Sequence, residues 1–509
     1  MEHPRGIDEA RSGRHRRAIL AVHLLALVVC LAASFALCGD DLGWSDSLWL
    51  TQPWRSPASY VVTWYRGLNG RLAQAITAAA FRLPFSYASV PEAFPFWVFS
   101  GLSFYCAAMT PVVIGACVAR ATRSAAGGAA VAVLLLGAWS TNPVLFENAT
   151  YHHFAIFIDY LLPTYLTALW FRHALELSAR ASKRALVLHG LGYFFLSTYL
   201  EVILLSIPLL ALLAWGVARG VPRTLGSRAR VLSSYGALSA AAVAVYRVSP
   251  GQQKRAVLGG MTLPRLSDLP LERVRDLVPV QFLGLTPGQA TVAYAVAVLG
   301  LAGLAAWVLR PRQSRPRDET RSRSTGRGLV AAAAVVFVAH AAALLPALVV
   351  VVAGRVAIYP GLLFLTSVAL AVLGALQGLT MGRWRMLLAG SAALAIAIAG
   401  PQLRQCSSVQ AERKSLFALR RSIYDYVLGL HRYTGASAFV LTDCDLAPGG
   451  ESLEPPWGLQ AYFAWGRRPP LKVFIDSNDD FPGRPADLDY AVISCRQFLD
   501  RPGGNPSPR

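Results

Sequence analysis

Residues 310–352 read RPRQSRPRDETRSRSTGRGLVAAAAVVFVAHAAALLPALVVVV. Arg310, Arg312, Arg315, Arg317, Arg321, Arg323 and Arg327 crowd one short linker, and the run Leu329–Val352 that follows carries no charge. About 20 apolar residues make a helix long enough to cross a hydrocarbon core. Arginines in short linkers stay on the cytoplasmic side of a membrane. The stretch therefore predicts a cytoplasmic linker followed by a membrane-spanning helix, and it fixes the orientation of everything on either side.

Outward from this anchor, the pattern repeats. Thr291–Leu309 precedes the linker, and Tyr359–Leu379 and Met386–Ala399 follow, with Arg383 and Arg385 between them. Upstream, the apolar runs are Ala18–Leu37, Phe94–Ala119, Ala126–Trp139, Phe154–Phe171, Ala185–Leu200, Val202–Val217 and Val231–Tyr246. Eleven runs place every arginine-rich short linker on one side, with the N-terminus cytoplasmic and the C-terminus outside. The first run follows Arg5, Arg11, Arg14, Arg16 and Arg17. It exceeds the roughly 7–15 residues of a signal-peptide core, so it is read as an uncleaved span. The fold class expected is an α-helical polytopic membrane protein: a transmembrane domain over 1–401 and a small extracytoplasmic α/β cap over 402–501. A Pro/Gly/Ser-rich tail, 502–509, is expected to be disordered.

Composition agrees. Hydrophobic residues are 54% of 509 and charged residues only 15%, well under the roughly 25% of soluble proteins. The net charge of +20, from 48 Lys plus Arg against 28 Asp plus Glu, sits mostly between apolar runs. There it sets orientation, so nucleic acid is not an expected partner. Arginine far outnumbers lysine, and alanine and valine abound, which points to a GC-rich bacterial source, and the apolar runs then place the chain in a bacterial plasma membrane. The seven cysteines form no CxxC and no zinc-like spacing with histidine.

Two outer loops, 38–93 and 247–288, break the rhythm. The first opens with Cys-Gly-Asp-Asp at 38–41 and contains Asn69-Gly70-Arg71 in an otherwise apolar stretch. Asp40 and Asp41 at the membrane face are candidates for a general base or for a divalent cation; ordinary polar punctuation at a helix end is the alternative. Arg71 offers a planar fork of donors for phosphate, against simple interfacial snorkelling. Residues 60–83 are expected to lie in the interface or to form a short membrane segment. The second loop carries Lys254 and Arg255, and residues 265–283 space their leucines and valines like an amphipathic helix on the membrane surface. Glu147, His152, His153 and Asp159 flank the fourth run, Glu201 sits between the fifth and sixth, and Arg355 precedes the tenth. Adjacent histidines diverge on a helix, so a shared metal is not expected; His340 is read as a packed polar residue. No phosphate-binding glycine loop, nucleophile elbow or HExxH motif is found.

In the cap, residues 410–433 predict a helix, and Ala438–Thr442, Leu471–Ile475 and Tyr490–Cys495 predict short strands. Parallel neighbours would bring Cys444 and Cys495 within disulfide reach, with two unrelated thiols as the alternative.

The order of these features resembles the C superfamily of membrane glycosyltransferases (GT-C), and more closely bacterial glucosyltransferase-like proteins that modify O-antigen or surface polysaccharide. Asp40, Asp41, Asn69, Gly70, Arg71, Glu201 and Arg355 match in order. Trp44 stands where some members carry tyrosine, and the cap matches no known pattern. The resemblance implies a GT-C-like bundle that moves a sugar from a polyprenyl phosphate to a glycan or lipid-linked acceptor. Asp40 and Asp41 would supply the base. Arg71, Arg355, Lys254 and Arg255 would face the donor phosphate, with Asn69, Glu201, His152 and His153 supporting. A polymerase or ligase, and a lipid-linked sugar flippase or transporter, are the rival expectations; a flippase would show polar, broken helices at the midplane.

Overall fold

The computed structural model describes residues 5–38, 57–66, 71–87, 93–146, 156–177, 182–217, 225–250, 272, 276–309, 317–346, 354–376, 381–436, 438–442, 472–475 and 490–494. These residues are overwhelmingly helical. In chain order the helices are α1 (Arg5–Cys38), α2 (Pro57–Trp64), α3 (Leu72–Tyr87), α4 (Ala93–Thr122) and α5 (Ala125–Leu135), then α6 (Leu162–Glu176), α7 (Lys183–Ser197), α8 (Glu201–Val217) and α9 (Leu225–Arg247). They continue as α10 (Pro287–Leu309), α11 (Arg317–Leu344), α12 (Ile358–Ala375) and α13 (Met381–Thr434). The described residues of the eleven apolar runs are mostly helical. Trp97–Thr122, Gly326–Leu344 and Arg355–Ala375 are long and apolar enough to cross a membrane; Leu20–Ala36, Ala125–Ser140 and Glu201–Trp215 are shorter apolar stretches.

Local chemistry explains several boundaries. Arg123 adopts a positive φ of 57° in the turn between α4 and α5, and Ser124 caps α5 by accepting from Gly127 N. Ser182 caps α7 by accepting from Ala185 N. Pro111 inside α4 removes the N–H that would meet the Ala107 carbonyl, and the Ser140 hydroxyl donates to that carbonyl instead, at 2.6 Å. Other hydroxyls are satisfied within their own helix, as in Thr110 to Cys106 O and Ser206 to Val202 O.

The helices pack around a core containing Trp139, Tyr193, Tyr359, Phe99 and Phe157, all fully buried. Closest approach is set by small residues: a side chain on Gly115 would strike Gly128 O, and the reverse is also true. This is how small-residue stripes bring membrane helices together. Outward faces are apolar as well. Leu25 is 65% exposed on α1, Leu299 71% on α10 and Ile396 71% on α13, a surface that water does not stabilise and a bilayer would cover.

Two outer-loop segments are placed in part by the described residues. Of the surface helix expected over 265–283, residues 272 and 276–283 are described: 272, 276 and 277 are helical and the chain then turns, with Gln281 N donating to Asp276 O and, just beyond, Leu285 N to Pro279 O. Its Leu277, Val278 and Phe282 are buried, and Phe282 sits against Gly361. The leucine-valine spacing therefore marks a plug packed into the bundle. Of the two readings of 60–83, α3 fits the short apolar segment: Leu72–Phe81 is an apolar helix, and Ala73, Gln74, Ala75, Thr77, Ala78 and Ala79 are buried.

The last helix, α13, is one continuous element of 54 residues through Pro401, where the sequence suggested a span and a separate cap helix. After it come β1 (Ala438–Thr442), β2 (Lys472–Ile475) and β3 (Tyr490–Ser494). They form a parallel sheet in the order β2-β1-β3, with Val440 paired to Phe474 on one side and Val492 on the other. Cys444 and Cys495 lie outside the described residues, as does the tail.

Candidate functional site

One end of the bundle gathers polar side chains that the core otherwise excludes. Arg71 precedes α3 and Glu201 begins α8, 130 residues later. Arg71 Nη2 lies 2.7 Å from Glu201 Oε2, and Nε donates to Oε2 at 3.0 Å and Oε1 at 3.2 Å. Their side chains are 13% and 31% exposed. Burial, the largest single influence, would weaken the arginine's charge, but the charge and hydrogen bonds of Glu201, with Tyr160 and Tyr246 nearby, together outweigh it and raise the guanidinium pKa above its ordinary value. A carboxylate in the first turn of α8 also gains from the positive end of that helix. The backbone holds the two together: Ala73 N donates to Thr198 O, in the turn between α7 and α8.

A five-residue π-helical segment, Phe157–Leu161, leads into α6; such widened turns redirect side chains and are frequent at functional sites. It presents Asp159, whose Oδ1 accepts a short hydrogen bond from Gln74 Nε2. Beside it, Tyr160 lies within electrostatic reach of Asp159, Arg71, Arg355 and Glu201. Tyr246, at the end of α9, lies within reach of Glu201 and Arg71. That end is tied to α2 by the Tyr65 hydroxyl donating to Val245 O and by Ser249 Oγ donating to Tyr65 O.

The cluster's hydrogen bonding is incomplete among the described residues. Gln74 Oε1 and Tyr246 OH are buried with no hydrogen-bond partner. A buried polar atom left unpaired costs free energy, so two in one cluster mark a place where a further polar group would be favourable. Arg355, in the short 3₁₀ turn Gly354–Ala357, is half-buried. It supplies a second cation that no described carboxylate neutralises.

Arg71 and Glu201 thus come together, with two nitrogens of Arg71 spent on Glu201, and Arg355 lies within electrostatic reach of the neighbouring Tyr160. Asp40, Asp41, Asn69, His152, His153, Lys254 and Arg255 lie outside the described residues. Among the described residues no group of three or more His, Cys, Asp or Glu could hold a metal ion. His340 is a packed residue as read: Nδ1 lies 2.9 Å from Pro360 O and Nε2 3.1 Å from Tyr294 OH.

Gln74, Tyr160 and Tyr246 escaped the sequence reading. Gln74 had a signal, since three residues after Arg71 it shares a helix face with it; the tyrosines look like interfacial aromatics and had none. Comparison with protein-family models and with curated proteins finds no match to this chain.

Proposed function

We propose that this chain is a GT-C-like glycosyltransferase of a bacterial plasma membrane, spanning it eleven times with the cap outside. It would move a sugar from a polyprenyl-phosphate donor to an extracytoplasmic glycan or lipid-linked acceptor. The observation that carries the reading is the convergence of Arg71, Glu201 and Arg355 on Tyr160, in a cluster with unpaired buried polar atoms. Residues far apart in sequence, singled out as ionisable groups beside apolar runs, lie around one tyrosine.

The chemistry follows from charge. An acceptor hydroxyl attacks the anomeric carbon, its proton passes to Asp40 or Asp41, and the bond from that carbon to the donor phosphate breaks with inversion. Negative charge grows on the departing phosphate. Arg355 meets it with its full complement of donors, while Tyr160 and Tyr246 offer hydroxyl donors. Arg71, clamped by Glu201, contributes its remaining nitrogen and a fixed position. A cluster of this kind gains most where water is excluded.

The test is a transfer assay with purified protein, a panel of polyprenyl-phosphate sugars and the Asp40→Asn and Asp41→Asn variants. Donor consumption that disappears with one of these aspartates is the expected result. Consumption unaffected by both would remove the proposed base, and none across the panel would remove the reaction.

A further inference from the structure

Away from the polar cluster, α4, α6, α8, α11 and α12 enclose a cavity of about 110 Å³, lined among others by Cys117, Ala168, Leu213, Ala332, Leu363 and Leu370. Thr164 and Thr167 face it but turn their hydroxyls to Tyr160 O and Pro163 O of their own segment. The wall is therefore hydrocarbon in character, and Thr366 Oγ1 is buried in it without a hydrogen-bond partner. Apolar cavities of about 150 Å³ stay dry and take up hydrocarbon, so neither water nor a sugar suits this one.

The cavity has two unlike ends. Towards the polar cluster it is roofed by Tyr359, whose hydroxyl is 2.9 Å from Ser206 Oγ. At the other end Cys117 lies within electrostatic reach of Arg172, Glu176 and Arg120. Arg172 Nε donates to Glu176, but two guanidinium groups against one carboxylate leave that end positive. Lining residues Ala121, Phe171 and Leu213 are only half-buried, so the cavity is not sealed.

We propose that this cavity is a lipid site, holding part of one acyl chain of an anionic phospholipid whose phosphate rests against Arg120 and Arg172. The volume suits a short hydrocarbon segment and is far too small for a polyprenyl tail. The positive charge lies at the end opposite Arg71 and Arg355, which separates this site from the proposed donor site. Its role is structural: the chain fills a void between five helices, and the headgroup ties α4 to α6.

Membrane-extracted, detergent-purified protein would be analysed for co-purifying lipid by mass spectrometry, beside Ala168→Phe and Ala332→Phe, which fill the cavity from opposite walls. Wild type should retain anionic phospholipid in proportion to protein. Each filling variant should retain it roughly fiftyfold less tightly, the effect of excluding about three methylenes. Arg120→Gln with Arg172→Gln should abolish the preference for anionic over zwitterionic lipid. Equal retention by wild type and folded filling variants, or retention of a polyprenyl phosphate in place of phospholipid, would overturn the proposal. Because a filling variant could fail to fold, wild type is also labelled with a photoreactive-acyl phospholipid. Adducts must map to α4, α6, α8, α11 or α12 at the cavity wall, and adducts confined elsewhere refute the site.

Discussion

Replacing Glu201 by glutamine leaves the Arg71 guanidinium in place without its counter-charge. Three contacts of 2.7–3.2 Å are lost or weakened at once. Removing one partner of a fully buried pair costs about 3–5 kcal/mol. Glu201 is 31% exposed, and solvent screening brings the expected cost down to about 2–3 kcal/mol. Removing both charges, with Arg71→Met and Glu201→Leu, takes away the desolvation cost together with the attraction and should recover at least half of that loss. Thermal unfolding of the detergent-purified proteins, followed by tryptophan fluorescence, gives the ranking: wild type highest, the double variant next, Glu201→Gln lowest. Sugar transfer should be lost in both variants, because stability returns without the fixed cation. A double variant as unstable as Glu201→Gln, or a Glu201→Gln protein that melts with wild type, would refute the reasoning that this pair is a desolvated clamp.

Further outcomes follow from the packing and the charge. Trp139 is fully buried and its Nε1 donates to Ile358 O at 3.0 Å; Trp139→Phe should cost about 1–2 kcal/mol in the same unfolding assay. Gly128→Leu should prevent a monodisperse preparation, because a side chain there meets Gly115 O and lies 2.6 Å from Ala119 Cβ, whereas Gly236→Ala, facing open space, should behave as wild type by size-exclusion chromatography. Arg355→Gln should lower kcat/KM for transfer by roughly a hundredfold or more while leaving the melting temperature unchanged.

The architecture was legible wherever charge and apolar length spoke together. Arginine clusters and uncharged runs located the apolar parts of the helices, since both are dictated by the cost of taking backbone and charge into hydrocarbon; helix ends that run on into charged sequence, as at Arg5, Arg317 and Thr434, were not marked by them. The strands over 438–442, 472–475 and 490–494 were visible in short β-branched and aromatic runs. That Leu277, Val278 and Phe282 are covered by protein was not legible, because leucine spacing reports only that one face is apolar, and whether lipid or protein covers it depends on tertiary packing. In the site, Arg71, Glu201 and Arg355 stood out because ionisable residues beside apolar runs are costly. That Arg71 would be spent on Glu201 was not legible, since 130 residues separate them and nothing in composition encodes the contact. Tyr160 and Tyr246 were hidden because tyrosine at a membrane interface is common for reasons unrelated to chemistry.

The most direct test of the central claim is stoichiometric. Purified protein in liposomes containing a polyprenyl-phosphate sugar and acceptor would be followed for two products at once, glycosylated acceptor and sugar-free polyprenyl phosphate. The account predicts that they appear one for one, and that Arg355→Gln suppresses both together. Donor that crosses the bilayer intact, with no polyprenyl phosphate released, would contradict it and identify a translocator instead.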